Sequence, residues 1–201
     1  MEFKKSGYSD DDAAQLALVA QMYRNVADEQ LDAGTAANFI VSQMKAFNLT
    51  AADSEHIVNA VNEISNNMAL SSADLATNIG KASAALAVGN NTYEESLSLM
   101  AGIVEVTRSG AKAARGLVSV QSRLNQTIDE SSSTGKALTK WYADHNIAIL
   151  DQTGQLRSLY DVLTDVAKIW PDLTTNEKDY YLNQQAGKFV PQIKANMRGV
   201  A

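Results

Sequence analysis

Apolar residues recur every three to four positions along nearly the whole of this chain, and each run is cut short by a residue suited to starting a helix. Leu16, Val19, Ala20, Tyr23, Val26 and Ala27 share one helical face. Ile57, Val58, Val61, Ile64 and Met68 share a second, and Leu159, Leu163, Val166, Ala167 and Trp170 a third. Ser9 before three aspartates, Thr50 before Ala51-Ala52-Asp53, Ser71 with Asp74, and Thr92 with Glu95 each place an oxygen where the free N–H groups of a first turn need an acceptor. Helix boundaries therefore fall roughly every 20 residues. Stripes that short cannot build one long rod; each must bury its apolar face against its neighbours.

The pattern predicts helices over 10–27, 33–48, 51–67, 72–88, 93–107, 111–126, 135–145, 158–170, 175–186 and 190–198. The fold class is all-α, a compact multi-helix array of short helices with one small β-hairpin near 147–157. The hairpin is expected because the apolar run Ile147-Ala148-Ile149-Leu150 meets the turn sequence Asp151-Gln152-Thr153-Gly154. Asn66-Asn67 reads as a tight turn, since Asn tolerates left-handed backbone. Residues 129–135, with no apolar side chain to bury, read as a linker between a helical subdomain over 1–128 and a smaller one over 136–201.

Composition narrows the function classes. Apolar residues make up 45% of the chain and aromatic residues only 6%, a mixture that favours close-packed helices. The net charge of −6 opposes stable nucleic-acid binding, which depends on Lys and Arg neutralising phosphates. Without Cys the chain has no disulfide, no thiolate nucleophile and no Cys-ligated zinc, as suits assembly in a reducing cytoplasm. No uncharged apolar run reaches the roughly 18–20 residues of a membrane span. The start, Met1 to Gly7, has two lysines, but Ser9-Asp10-Asp11-Asp12 stands where a signal peptide would have its apolar core.

Chemistry is sparse. His56 and His145 are the only histidines and lie far apart in sequence, so no metal site is expected. There is no Gly-x-Ser-x-Gly elbow, and Gly135-Lys136-Ala137 lacks both the upstream glycine and the hydroxyl of a phosphate loop. Glu94 and Glu95 could be paired acids of a cell-wall hydrolase, but their place in a first turn explains them as answers to the helix dipole. Glu63 has no obvious second acid. Asn62 and Asn66, four residues apart, share a helix face; with Glu63 they are the candidate partner contact, or else serve the turn that follows. No catalytic, cofactor-binding or metal-ligating residue is assigned.

Several stretches together carry a family likeness: Met44-Lys45-Ala46-Phe47-Asn48, Val61 through Leu75 around Asn62-Glu63-Ile64-Ser65-Asn66-Asn67, and Gly89-Asn90-Asn91-Thr92-Tyr93-Glu94-Glu95-Ser96. A second block holds Ile149 through Ser158, Leu163-Thr164-Asp165-Val166-Ala167, Leu182 and Ala186-Gly187-Lys188. In order and spacing the chain resembles the tail tape-measure proteins of long-tailed bacteriophages. The resemblance implies a structural part of the virion tail, assembled in the host bacterial cytoplasm, that helps to set tail length and is not an enzyme. It implies tail-tube and tail-assembly proteins and other copies of the chain as candidate partners, and no cofactor. Tape-measure proteins are usually far longer, so this is expected to be a fragment. The rival reading is a stand-alone bacterial helical adaptor.

Overall fold

The computed structural model describes residues 2–27, 31–67 and 70–187. Ten α-helices follow one another: α1 (Glu2–Lys5), α2 (Asp10–Val26), α3 (Ala33–Ala46), α4 (Ser54–Asn66), α5 (Ser72–Val88), α6 (Tyr93–Thr107), α7 (Gly110–Asn125), α8 (Ser133–Asp144), α9 (Leu159–Ile169) and α10 (Thr175–Gln185). Single 3₁₀ turns precede α4 and follow α7 and α9. The short α1 has no counterpart in the apolar pattern, and the expected helix at 190–198 lies outside the described residues.

The starts form where the caps predict. Ser9 accepts from the Asp12 amide, Ser71 from that of Asp74, and Thr92 and Glu95 exchange both bonds of a capping box. Thr50 and Asp53 make the same box at the 3₁₀ turn leading into α4. The stops follow a rule of their own. After α3, α5 and α8 an asparagine takes left-handed backbone: Asn48, Asn90 and Asn146, with φ of 54°, 58° and 57°. The next amide then reaches back five residues, Leu49 to Met44 O, Asn91 to Leu86 O and Ile147 to Tyr142 O, at 2.8, 3.1 and 2.9 Å. Each bond closes a carbonyl the helix would leave open. Asn67, read as such a turn, instead caps α4 at φ −103°.

The hairpin is not formed, and among the described residues there is no strand. Residues 147–157 hold one isolated antiparallel bridge, Leu150 to Leu156. The reason is local competition: the Asp151 carboxylate accepts from the Thr153 amide at 2.8 Å, the Thr153 hydroxyl at 2.7 Å and the Gln155 amide at 2.9 Å. That compact turn uses the N–H groups a longer ladder would need. On one side Asn146 has just ended α8, and on the other Ser158 already caps α9. Two backbone bonds cross the turn, from the Asp151 amide to Gln155 O at 2.8 Å and from the Arg157 amide to Ile149 O at 2.9 Å, but the pairing extends no further than the one bridge.

Helix α5 packs against α3, α4, α6 and, most extensively, α7. Small side chains are buried along both helices, Ala76, Ala82 and Ser83 on α5 and Gly110, Ala113, Ala114 and Gly116 on α7. A Cβ at Gly110 would stand 2.9 Å from Asn78 Nδ2, so the two backbones meet closely there. Buried phenols tie neighbours to this centre. Tyr23 of α2 donates to Ser72 O at 2.8 Å, and Tyr93 of α6 donates to Ile57 O at 2.8 Å. Toward the C-terminal end, Trp141 and Tyr142 of α8 pack on Tyr181 of α10, and His145 stacks on Trp141 at 4.1 Å.

Residues 129–135 turn the chain into α8. Asp129 accepts from the amide and hydroxyl of Ser131, and Ser132 caps the helix by accepting from the Gly135 amide at 3.0 Å. A Cβ at Gly135 would lie 1.8 Å from the carbonyl oxygen of Gln126. Since backbone cannot step aside as a side-chain tip can, Gly135→Ala is expected to destabilise the protein by about 1–3 kcal/mol in urea unfolding. An unchanged midpoint would mean the turn moves freely.

Five carboxyl groups at caps and turns sit below their ordinary acidity range. The hydroxyls of Thr35, Ser131, Thr153 and Thr174 lead in holding down Asp32, Asp129, Asp151 and Glu177, and the Thr50 amide leads at Asp53. Each stabilises the fold when ionised. That contribution is complete above the unfolded carboxyl value, about 4, and is lost as pH falls through the lower folded values. Tm measured by circular dichroism is therefore expected to hold level from neutral pH down to about 5 and to fall steadily below about 4.

Candidate functional site

Two of the Asn-ended helices bring their last turns side by side. Ala46 to Leu49 from the end of α3 and Ala87 and Asn90 to Glu94 from the α5–α6 turn line one open cleft of about 520 Å³. Phe47 meets Tyr93 edge-on, ring centres 5.6 Å apart at 64°, and gives the cleft its aromatic wall. The amides of Asn48 and Asn90, both exposed, supply its polar groups.

At the rim, His56 near the start of α4 bonds through Nε2 to Glu94 Oε1 at 2.7 Å. Partial burial pushes the Glu94 carboxyl up, but bonds from His56, its own amide and Thr92 outweigh this and hold it below its ordinary range. Both side chains are more than half exposed, so the pair contributes at most about 1 kcal/mol. Its chemistry is limited. A histidine–carboxylate pair serves catalysis when the other imidazole nitrogen meets a nucleophile or substrate proton at about 3 Å, and among the described residues His56 is bonded to Glu94 alone. Glu95, the other acid of the presumed pair, is committed to the Thr92 amide at 2.9 Å.

Behind the cleft lies a buried amide node. Asn91 Nδ2 donates to Gln121 Oε1 at 3.0 Å and to Leu86 O at 2.8 Å, while its Oδ1 accepts from the Tyr160 amide at 3.1 Å. Gln121 in turn donates to Asn125 Oδ1 at 2.8 Å. Next door, Asn90 Nδ2 donates to Leu156 O at 2.7 Å. The node thus joins the α5–α6 turn to α7 and to the start of α9, across 66 to 69 residues of sequence. Gly89 makes room for it, since a Cβ there would stand 2.0 Å from Gln121 Nε2. Nothing in the apolar pattern singles out Asn91 or Gln121; the one local signal is a run of Gly89-Asn90-Asn91 placed before a cap.

The residues singled out on α4 lie elsewhere. Among the described residues half-buried Asn62 has no hydrogen-bond partner at its Oδ1, Asn66 is exposed, and exposed Glu63 accepts at its carbonyl from Asn67 Nδ2 at 2.8 Å. Asn66 stands about 15 Å along the helix from His56, so this end of α4 is not part of the cleft. His145 is held by Trp141 O at 2.8 Å and is 3.8 Å from Glu177. Among the described residues no three His, Cys, Asp or Glu side chains group as metal ligands, and no helix is long and apolar enough to cross a membrane.

The chain belongs to the phage-related minor tail protein family, whose model matches residues 1–187. It is thus a structural protein of a bacteriophage tail. No solved structure matches the chain.

The node yields a sharp expectation. Asn91→Leu leaves Gln121 Oε1 and the Tyr160 amide without their partner in a buried setting, a loss of about 1–3 kcal/mol in denaturant unfolding. Gln121→Leu costs a similar amount, and the double variant should lose less than the two together, with a coupling of at least about 0.5 kcal/mol. Strict additivity would show that the two amides act independently.

Proposed function

We propose that this chain is a globular helical segment of a tail tape-measure protein, acting through contacts with tail-tube and tail-assembly proteins and other copies of itself, without a catalytic role. Membership of the minor tail family supports the tail assignment, and the two sequence blocks that carry the tape-measure likeness support the finer one. The observation that carries the reading is that those blocks dock on each other: Asn90 and Asn91 of the first bond to Leu156 O and the Tyr160 amide beside the second. Residues so placed hold helices together rather than transform a substrate.

In this folded state the segment is no ruler. Its longest helices have 17 residues, about 25 Å each. Length would be set by other parts of the parent protein, or by this segment opening inside the tube. An in-frame deletion of about 100 helical residues elsewhere in the parent gene is expected to shorten tails by about 150 Å in electron micrographs. Unchanged tails would overturn the tape-measure reading, and a gene that ends with this chain would favour the helical adaptor. Cleavage of peptidoglycan by the purified chain, abolished by Glu63→Gln or Glu94→Gln, would restore the hydrolase reading.

A further inference from the structure

Between Arg108 and Ile128 the chain carries four cations, Arg108, Lys112, Arg115 and Arg123, and no acid, although its net charge is −6. The fold turns this into a place. One side of α7, with Lys81 from α5 and Thr134 from the start of α8, lines an open groove of about 630 Å³. Small residues make it concave, and Ala111, Ala114 and half-exposed Val118 give it an apolar floor.

The cations here are largely uncommitted. Arg115 is exposed and has no carboxylate or hydrogen-bond partner among the described residues. Lys81 is exposed and, among the described residues, bonded only to Asn78 Oδ1 at 3.2 Å. Arg123 gives Nη1 to Gln184 O at 2.6 Å, which fixes its position at one end. Charges left unpaired beside an apolar floor are complementary to a segment that brings carboxylates and an apolar side chain together. The chain's own continuation does not fit that description, since Lys188, Lys194 and Arg198 stand past Gly187 with no acid.

We infer that the α7 groove is a docking site for an acidic, apolar-punctuated peptide segment of a partner protein. Nucleic acid fits less well. Among the described residues no aromatic side chain lines the groove for base stacking. A long polyanion also feels the chain's overall negative charge beyond the few contacts made here. The inference goes beyond the tape-measure reading and stands or falls separately, because it is tested on the purified chain with no tail present.

The test is selection from a random library of peptides about 12 residues long with the purified 201-residue chain. The selected peptides are expected to be rich in Asp and Glu with interspersed Leu, Ile or Phe. Affinity for a resynthesised peptide should drop roughly tenfold in Arg115→Glu and in Lys81→Glu, with circular dichroism unchanged, and should weaken as salt is raised. The doubly reversed variant should select Lys- and Arg-rich peptides instead. Libraries without acidic enrichment, binding indifferent to both reversals, or a DNA duplex that binds more tightly than any selected peptide would each overturn the proposal. If a reversal unfolds the chain, Arg115→Gln and Lys81→Gln test the same loss.

Discussion

The close seam between α5 and α7 is the contact on which the other helices depend. Small side chains are buried along both helices, and the Asn91–Gln121 bond at the end of the seam holds it in one register, while Ser83, bonded to Gln43 at 2.6 Å, ties α5 to α3. Small apolar faces alone tolerate sliding, since one alanine packs much like the next. A buried amide does not, because leaving it unpaired costs more than most single packing contacts supply. With α5 and α7 fixed, α3 and α6 dock on α5, and Gln185 of α10 reaches Val120 O at 3.0 Å on the far side of α7.

That seam also separates two concave surfaces. On one side the α5–α6 turn meets the end of α3 and forms the cleft beside Glu94 and His56. On the other, α7 turns its outer side with Lys81 into a basic groove. The two surfaces differ in kind. In the cleft His56 is paired with Glu94 and the Asn90 and Asn91 amides are engaged in holding the turn, whereas in the groove Arg115 and Lys81 are exposed and have no counter-charge among the described residues.

How much was legible in the sequence depended on how local the cause was. The caps Ser9, Thr50, Ser71 and Thr92 act within one turn, and so the starts of α2, α5 and α6 and the turn before α4 could be read directly. The hairpin failed for an equally local reason, the three bonds gathered by Asp151, but that choice competes with a ladder and the apolar pattern favoured the ladder. The left-handed asparagines were sought at 66–67 and occur at 48, 90 and 146. Each of these three is followed by a residue whose amide folds back to a carbonyl five positions earlier, a condition the residue type alone does not reveal.

The sequence by itself determined α2 to α10, several of their capped starts and the local excess of cations over residues 108–128. These follow from periodicity, side-chain chemistry at a first turn, and counting. Only the tertiary structure decided that Asn91 would meet Gln121 and Tyr160, that His56 would find Glu94 across 38 residues, that Asn62, Glu63 and Asn66 would stand apart from the cleft, and that Lys81 would join the α7 cations around one groove. Such pairings depend on how helices cross, which is set by shape across the seam and leaves no mark within any single stretch of chain.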